Sequence, residues 1–243
     1  QVYKKLFSKM ASFTISNSDI LRAVSSSTEE QALSFDPSKK VVRFPAWVDF
    51  EIFSNVKPLR NNEKNFKILF IGSVTDRKKP HLIVEAMNNF NSKDIKLYIV
   101  GPTPNENYLS QLKKLVQEYD LVDQVSFTGS IDRKSVMDHY ADTNLMILPS
   151  VSEGLARVIF ESQVTACPVL VTDAPGMGDI VIDGQTGYIF ESDNLESLTS
   201  KIQEIKNNYQ DAIHVGNNAK NFILSNYSAD NFKFSFKKLF DAV

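Results

Sequence analysis

Cysteine and histidine are scarce in this sequence of 243 residues: there is one cysteine, and the three histidines are His81, His139 and His214. A single cysteine excludes an internal disulfide framework. Cys167 lies between Ala166 and Pro168 at the start of an apolar run, which favours a small buried side chain over a nucleophile. The histidines are too far apart in the sequence for a metal-binding motif, so we predict no metal site.

Long hydrophobic runs and a strong net charge are also missing. No apolar stretch approaches the roughly 20 residues that span a bilayer, and we find no secretion signal. The 27 basic and 29 acidic residues give a formal charge of −2, which argues against a nucleic-acid partner. We therefore expect a cytoplasmic location or one at the inner face of the membrane. Because the sequence opens at Gln1 inside a predicted helix, residues 1–9, we expect a fragment of a longer protein.

Hydrophobic residues make up 42% of the sequence, and most lie in short runs that alternate with helical patterns. Several runs are continuously apolar, which is typical of strands covered on both faces of a parallel sheet. The predicted strands are residues 67–71, 96–100, 125–128, 145–148, 169–171 and 188–190. The predicted helices are residues 79–91, 105–119, 133–141, 155–165, 194–208, 210–225 and 229–242. This order predicts an α/β fold with a doubly wound parallel sheet, whose ligands bind at the carboxyl ends of the strands.

The first 65 residues have a different character. Residues 12–16 and 41–44 are predicted strands, residues 18–33 a helix, and the polar run Asn61–Asn65 a linker or exposed turn. The last predicted helix is amphipathic and basic. Contact with a membrane and burial against a neighbouring domain are both open for it, and burial is favoured.

Two carboxylates bracket a predicted strand-to-helix turn, Ser150–Glu161. If the segment were helical throughout, Glu153 and Glu161 would be separated by roughly 12 Å and rotated by about 80°, a span comparable to a sugar diphosphate. The N–H groups of Gly154 to Val158 would then form a helix N-terminus that favours phosphate. For the pair alone, a dipole-complementing cap at Glu153 and a solvated Glu161 remain equally open.

The order of motifs resembles the family 4 retaining glycosyltransferases, which have the GT-B fold of two Rossmann-like domains. The resemblance covers about residues 40–225 and is carried by the loop Gly72–Lys78, the segment Tyr140–Ser150, the E-x7-E pair Glu153 and Glu161, and the turn Gly184–Phe190. It implies a remnant of the acceptor domain with its linker at residues 1–45, a nucleotide-sugar-binding domain at 46–225 and a crossover helix at 226–243.

The resemblance also implies roles for individual residues. Glu153 would hold hydroxyls of the donor sugar and Lys78 would contact the diphosphate, and these two are the expected catalytic residues. Glu161 would accept hydrogen bonds from the ribose. The donor-binding residues would be Gly72, Ser73, Arg77, Lys78, Ile131, Arg133, Glu153, Gly154, Leu155, Ala156, Arg157, Val158 and Glu161. Ser73 stands where the family usually has arginine, and either Arg77 substitutes for it or the site is weaker. Arg157 contacts phosphate or turns to solvent.

The implied activity is transfer of a sugar, with retention, from a UDP- or GDP-linked donor to an acceptor hydroxyl. No separate cofactor is expected. The acceptor would be a glycan, a lipid-linked sugar or a small molecule, with peripheral membrane contact through the missing domain. We expect this chain alone to bind donor and to be inactive. The alternative is a non-catalytic, donor-domain-like partner or binding module. A nicotinamide enzyme is disfavoured, because the turn after Ile71 lacks the G-x-G-x-x-G spacing.

Overall fold

The computed structural model describes residues 2–60, 65–90 and 92–242. The chain divides into two compact units: residues 1–48 with 226–243, and residues 49–225. The predicted turn at 61–65 lies outside the described residues except for Asn65.

The first unit pairs two short strands in parallel. Its elements are α1 (Val2–Ser16), β1 (Leu21–Ala23), α2 (Ser26–Phe35), β2 (Val41–Arg43) and α10 (Ala229–Phe240). The Ser25 and Thr28 side chains form a capping box at the start of α2, which satisfies backbone N–H groups that would otherwise lack partners. The ring of Phe44 packs edge-on against Phe232 and Phe236 of α10, with ring centroids 5.7 Å apart in both pairs. The unit is therefore held together by an aromatic cluster.

Two predictions for this unit are wrong. Residues 12–16 continue α1 and are not a strand. Leu6, Met10 and Phe13 lie at helical spacing, and the alternation within residues 12–16 is too short to distinguish a strand from a helix. Residues 18–33 are not one helix either: β1 precedes α2, which begins after the Ser25 cap. The strand at 41–44 is confirmed as Val41–Arg43.

The second unit contains a six-stranded, wholly parallel sheet in the order β5-β4-β3-β6-β7-β8. Its strands are β3 (Phe66–Ile71), β4 (Ile95–Val100), β5 (Val125–Gly129), β6 (Leu145–Leu148), β7 (Val169–Thr172) and β8 (Tyr188–Phe190). Every residue of β6 and β7 is buried, as expected for strands covered on both faces. The predicted doubly wound α/β fold and its six strands are confirmed.

The helices of this unit from residue 80 onward follow the predicted order, whereas the short helix α3 was not predicted. They are α3 (Glu51–Ser54), α4 (Pro80–Asn88), α5 (Glu106–Glu118), α6 (Arg133–Asp142), α7 (Arg157–Val164), α8 (Leu195–Asn207) and α9 (Tyr209–Asn226). Asn105, Asp132 and Asn194 cap α5, α6 and α8 by accepting a backbone hydrogen bond three residues on. Cys167 is fully buried, as its sequence context predicted. No helix in the described ranges combines the length and apolarity that a membrane crossing requires.

Candidate functional site

The predicted site residues cluster where the strand order reverses. The chain passes outward from β3 through β4 to β5 and then returns to β6 on the other side of β3. Crossover helices therefore diverge between the carboxyl ends of β3 and β6, which leaves a crevice in folds of this type. The loop that begins at Gly72 follows β3, and the loop from Pro149 to Ala156 follows β6. These two loops carry most of the predicted site.

Two glycines shape the edge next to β3. Gly72 and Gly101 have φ angles of +139° and +135°, a region that side chains rarely adopt. A Cβ atom added at Gly101 would lie 2.2 Å from the carbonyl oxygen of Gly72, so the turns after β3 and β4 touch through their backbones. The loop after β3 continues into a single 3-10 turn, Asp76–Lys78. As a result, the Lys78 side chain points back toward Gly72, the residue that follows β3.

Lys78 lies beside Gly72 and is paired with Glu153. Its Nζ atom would be 3.0 Å from a Cβ atom added at Gly72, so the missing side chain makes room for the ammonium group. The same Nζ is 3.2 Å from Glu153 Oε1, and the two side chains are only 13% and 11% exposed. The loops after β3 and β6 are thus joined by a largely buried ion pair.

Arg77 and Ser150 complete the surroundings of Glu153. Ser150 Oγ lies 2.9 Å from Glu153 Oε1, and Arg77 Nη1 lies 3.2 Å from the same oxygen. Arg77 Nη1 also donates to the carbonyl of Ser152, and the Val151 N–H donates to the Arg77 carbonyl over 3.2 Å. Glu153 Oε1 therefore accepts a hydrogen bond from Ser150 and forms ion pairs with Lys78 and Arg77, and these contacts hold the carboxylate in position.

The start of α7 differs from the prediction. The helix begins at Arg157, not at residue 155, and Ala156 at its N-terminal boundary provides no side-chain cap. Glu153 lies in the preceding loop, so the separation of roughly 12 Å, which assumed a continuous helix, does not apply. In the described part of the chain, the N–H groups of Gly154, Leu155, Ala156 and Val158 have no acceptor, whereas that of Arg157 donates to the Leu155 carbonyl over 3.1 Å. These open donors and the helix dipole favour an anion.

Glu161, in the second turn of α7, is bound by a buried phenol. Tyr140 Oη is 3.1 Å from Glu161 Oε2 and 3.3 Å from the Val158 carbonyl. Burial raises the pKa of Glu161, while the Tyr140 hydrogen bond and the charges of Arg157 and Arg133 act in the opposite direction. Arg133, from the first turn of α6, therefore lies near enough to Glu161 to influence the pKa of that carboxyl group.

The remaining predicted residues are less closely connected. Ser73 and Ile131 are half-buried, and in the described ranges no hydrogen bond or ion pair links them to the other predicted residues. Tyr140 and Ser150 had no predicted role, although both belong to the segment Tyr140–Ser150 that resembles the family. Among the described residues, no three His, Cys, Asp or Glu side chains are grouped to hold a metal ion.

Comparisons with known proteins identify a family and relatives. The family model described as glycosyl transferases group 1 matches residues 51–222. The capsular polysaccharide biosynthesis glycosyltransferase CapM of Staphylococcus aureus is 25% identical over 175 residues, which are 68% of this chain and 43% of CapM. A GDP-mannose-dependent alpha-(1-6)-phosphatidylinositol monomannoside mannosyltransferase of Mycolicibacterium smegmatis is 22% identical over 228 residues, covering 87% of this chain and 59% of the relative.

A solved structure shares the fold. The structure of HepE from Anabaena in complex with UDP and glucose superposes with a TM-score of 0.81 at 16% identity, covering 93% of this chain and 64% of HepE. This likeness extends the family match to the three-dimensional fold. The chain spans about half the length of the curated relatives that it matches.

Proposed function

Because the chain belongs to the group 1 glycosyl transferases, a family whose GT-B fold it shares, we propose that it binds the nucleotide-sugar donor of a sugar transfer reaction. The observation that carries this proposal is the Lys78–Glu153 pair at the switch point of the sheet, next to open N–H groups at the start of α7. A cation, amide donors and a carboxylate are the groups that a sugar diphosphate requires.

The proposed roles follow the chemistry of each part of the donor. Lys78 and the N–H groups before and within the first turn of α7 face the diphosphate. Glu153 accepts hydrogen bonds from sugar hydroxyls, and Glu161 accepts them from the ribose, because a carboxylate offers two acceptor oxygens to a vicinal diol. The base lies against the loop after β5, with Ile131 packed on its face and Arg133 at its edge. The remaining donor-binding residues are Gly72, Ser73, Arg77, Gly154, Leu155, Ala156, Arg157 and Val158.

The proposed reaction retains the anomeric configuration. Departure of the nucleoside diphosphate leaves negative charge on its terminal phosphate, and fixed positive groups aimed at that charge lower the barrier. Lys78 and the N-terminus of α7 supply this stabilisation, while Glu153 orients the sugar. We propose that the acceptor hydroxyl attacks the anomeric carbon from the face that the nucleoside diphosphate leaves, so that no protein nucleophile takes part. The bond from the anomeric carbon to the leaving phosphate oxygen breaks as the new glycosidic bond forms, and the leaving phosphate takes the acceptor proton.

We further propose that three segments of the chain have different roles. Residues 46–225 bind a UDP- or GDP-linked sugar, residues 1–45 are the remnant of an acceptor domain with its linker, and 226–243 form the crossover helix. The acceptor is a glycan, a lipid-linked sugar or a small molecule. Because the acceptor groups would lie in another domain, this chain alone binds donor without turnover.

Calorimetric titration with UDP-glucose and with GDP-mannose tests the donor site. We expect saturable binding of one donor and a loss of at least tenfold in affinity in Glu161→Ala, as for removal of a charged hydrogen-bonding group. Glu118→Ala, which removes an exposed carboxylate paired with Lys114 on α5, is the matched control and should leave affinity unchanged. Equal binding by Glu161→Ala would remove the ribose assignment, and absence of binding would remove the donor site.

The second candidate is a binding module without catalysis. Ser73, in place of the expected arginine, favours it, because one positive group near the diphosphate is missing. A transfer and hydrolysis assay on the complete gene product separates the two functions: donor binding without product formation supports the module, and product with the anomeric configuration of the donor supports the retaining transferase.

A further inference from the structure

We propose that Tyr140 is a positioning residue for the donor: its hydroxyl holds Glu161 by one carboxylate oxygen so that the other oxygen is presented to the nucleotide ribose. The inference rests on the proposed function and deepens it, because it explains how a carboxylate on a short helix is fixed in one orientation.

The contact itself is specific. Tyr140 Oη lies 3.1 Å from Glu161 Oε2, within the range of a hydrogen bond, and slightly farther, 3.3 Å, from the Val158 carbonyl. A phenol has one proton to donate. The shorter distance and the charge of the carboxylate both favour Glu161 as its acceptor. The same hydroxyl therefore contacts both the carboxylate and the first turn of α7.

Tyr140 is itself rigidly placed. Its side chain is fully buried and its ring meets Phe53 edge-on, with centroids 5.7 Å apart. Its backbone carbonyl accepts a hydrogen bond of 3.2 Å from Arg60 Nη2. A side chain that is fixed at both ends loses little further freedom when it binds a partner. Tyr140 can therefore fix the Glu161 carboxylate relative to α6.

The groups around Glu161 indicate how its pKa should change when the Tyr140 hydroxyl is removed. The groups that act on this carboxylate are Tyr140 and Arg133 from α6 and Arg157 from α7. Burial raises the pKa of Glu161, and the Tyr140 hydrogen bond lowers it. Removal of the phenol oxygen should therefore raise the pKa of Glu161 further, because the ionised form loses its nearest donor.

The test is calorimetric titration of the purified protein, Tyr140→Phe, Glu161→Gln and the double variant with UDP-glucose and GDP-mannose, from about pH 5 to about pH 8. The pyrophosphate bridge of these donors does not titrate in that range. We expect Tyr140→Phe to weaken binding about tenfold at neutral pH, and by at most about twofold when Glu161 is already glutamine. As the solution is acidified, the donor affinity of Tyr140→Phe should begin to fall at a higher pH than the donor affinity of the parent protein. Tyr108→Phe, which removes a phenol bonded to His81, is the matched control.

The outcomes distinguish the two levels of the proposal. Equal donor affinity of Tyr140→Phe and the parent would overturn the positioning role while leaving the donor site intact. A loss that is uniform across pH, or that is undiminished in the Glu161→Gln background, would show general destabilisation and also overturn it. Failure of the parent protein to bind either donor would overturn both the proposed function and this inference. Thermal unfolding of each variant verifies that it is folded.

Discussion

Lys78 Nζ lies 3.2 Å from Glu153 Oε1 and so connects the loop after β3 with the loop after β6. Each residue is at a turn that leaves the carboxyl edge of the sheet, and the pair spans the place where the strand order reverses. Both side chains are mostly buried, so the ion pair is screened less than a surface pair. In the proposed function, the cation is held ready for a diphosphate by a carboxylate that itself binds the sugar.

Lys78→Ala should weaken donor binding by tenfold or more, because a hydrogen-bonded charge next to phosphate is lost. Lys78→Arg should not restore the affinity, since the space beside Gly72 fits an ammonium group closely and a guanidinium is larger. Calorimetric titration measures both effects. Lys93→Ala, which removes an exposed partner of Asp120, should bind like the parent. Full affinity in Lys78→Ala would exclude a phosphate contact.

Gly101→Ala should destabilise the fold by about 2–4 kcal/mol, because the new Cβ atom would overlap the Gly72 carbonyl and the backbone has φ of +135°. Gly178→Ala is the matched control: its Cβ atom would meet nothing within 4 Å, so we expect little change. Urea unfolding followed by circular dichroism measures the free energy of unfolding of both variants. Equal stability of the two would show that the turns after β3 and β4 are not closely apposed.

The sheet was predictable from the sequence because its strands are encoded locally. Runs such as Leu145–Leu148 are apolar throughout, which is typical of strands covered on both faces of a parallel sheet. Residues 12–16 were mispredicted because their alternating pattern is also compatible with the last turn of an amphipathic helix, and short patterns do not separate the two.

Some residues that were predicted to share a site lie close together in the structure, as Lys78 and Glu153 do, but the sequence did not show the geometry. The spacing of Glu153 and Glu161 drew attention to the loop after β6, but it did not show that α7 begins only at Arg157. The contact of Tyr140 with Glu161 joins side chains 21 residues apart in sequence. Such a contact depends on how α6 and α7 pack, and no local pattern encodes it.

Arg60→Met should destabilise the fold by about 2–4 kcal/mol. The guanidinium donates to the carbonyls of Tyr140, Thr143 and Thr165, near the C-terminal ends of α6 and α7, where backbone carbonyls lack helical partners. Methionine keeps the apolar stem and removes the donors. Lys114→Met, at an exposed pair within α5, should change stability by less than about 0.5 kcal/mol. Chemical denaturation compares the two, and similar midpoints would contradict the capping role.

Glu161→Gln should stabilise the fold while it weakens donor binding, a combination expected of a residue kept for function. Burial raises the pKa of Glu161 in the folded protein, so its ionisation costs stability as the pH rises through that pKa. Glutamine does not ionise and avoids this cost. The difference in melting temperature should therefore be positive near neutral pH and disappear below the pKa of an unfolded glutamate, at about pH 4. Thermal scans across this range measure it, and a difference that does not vary with pH would show that the carboxylate is ionised without penalty.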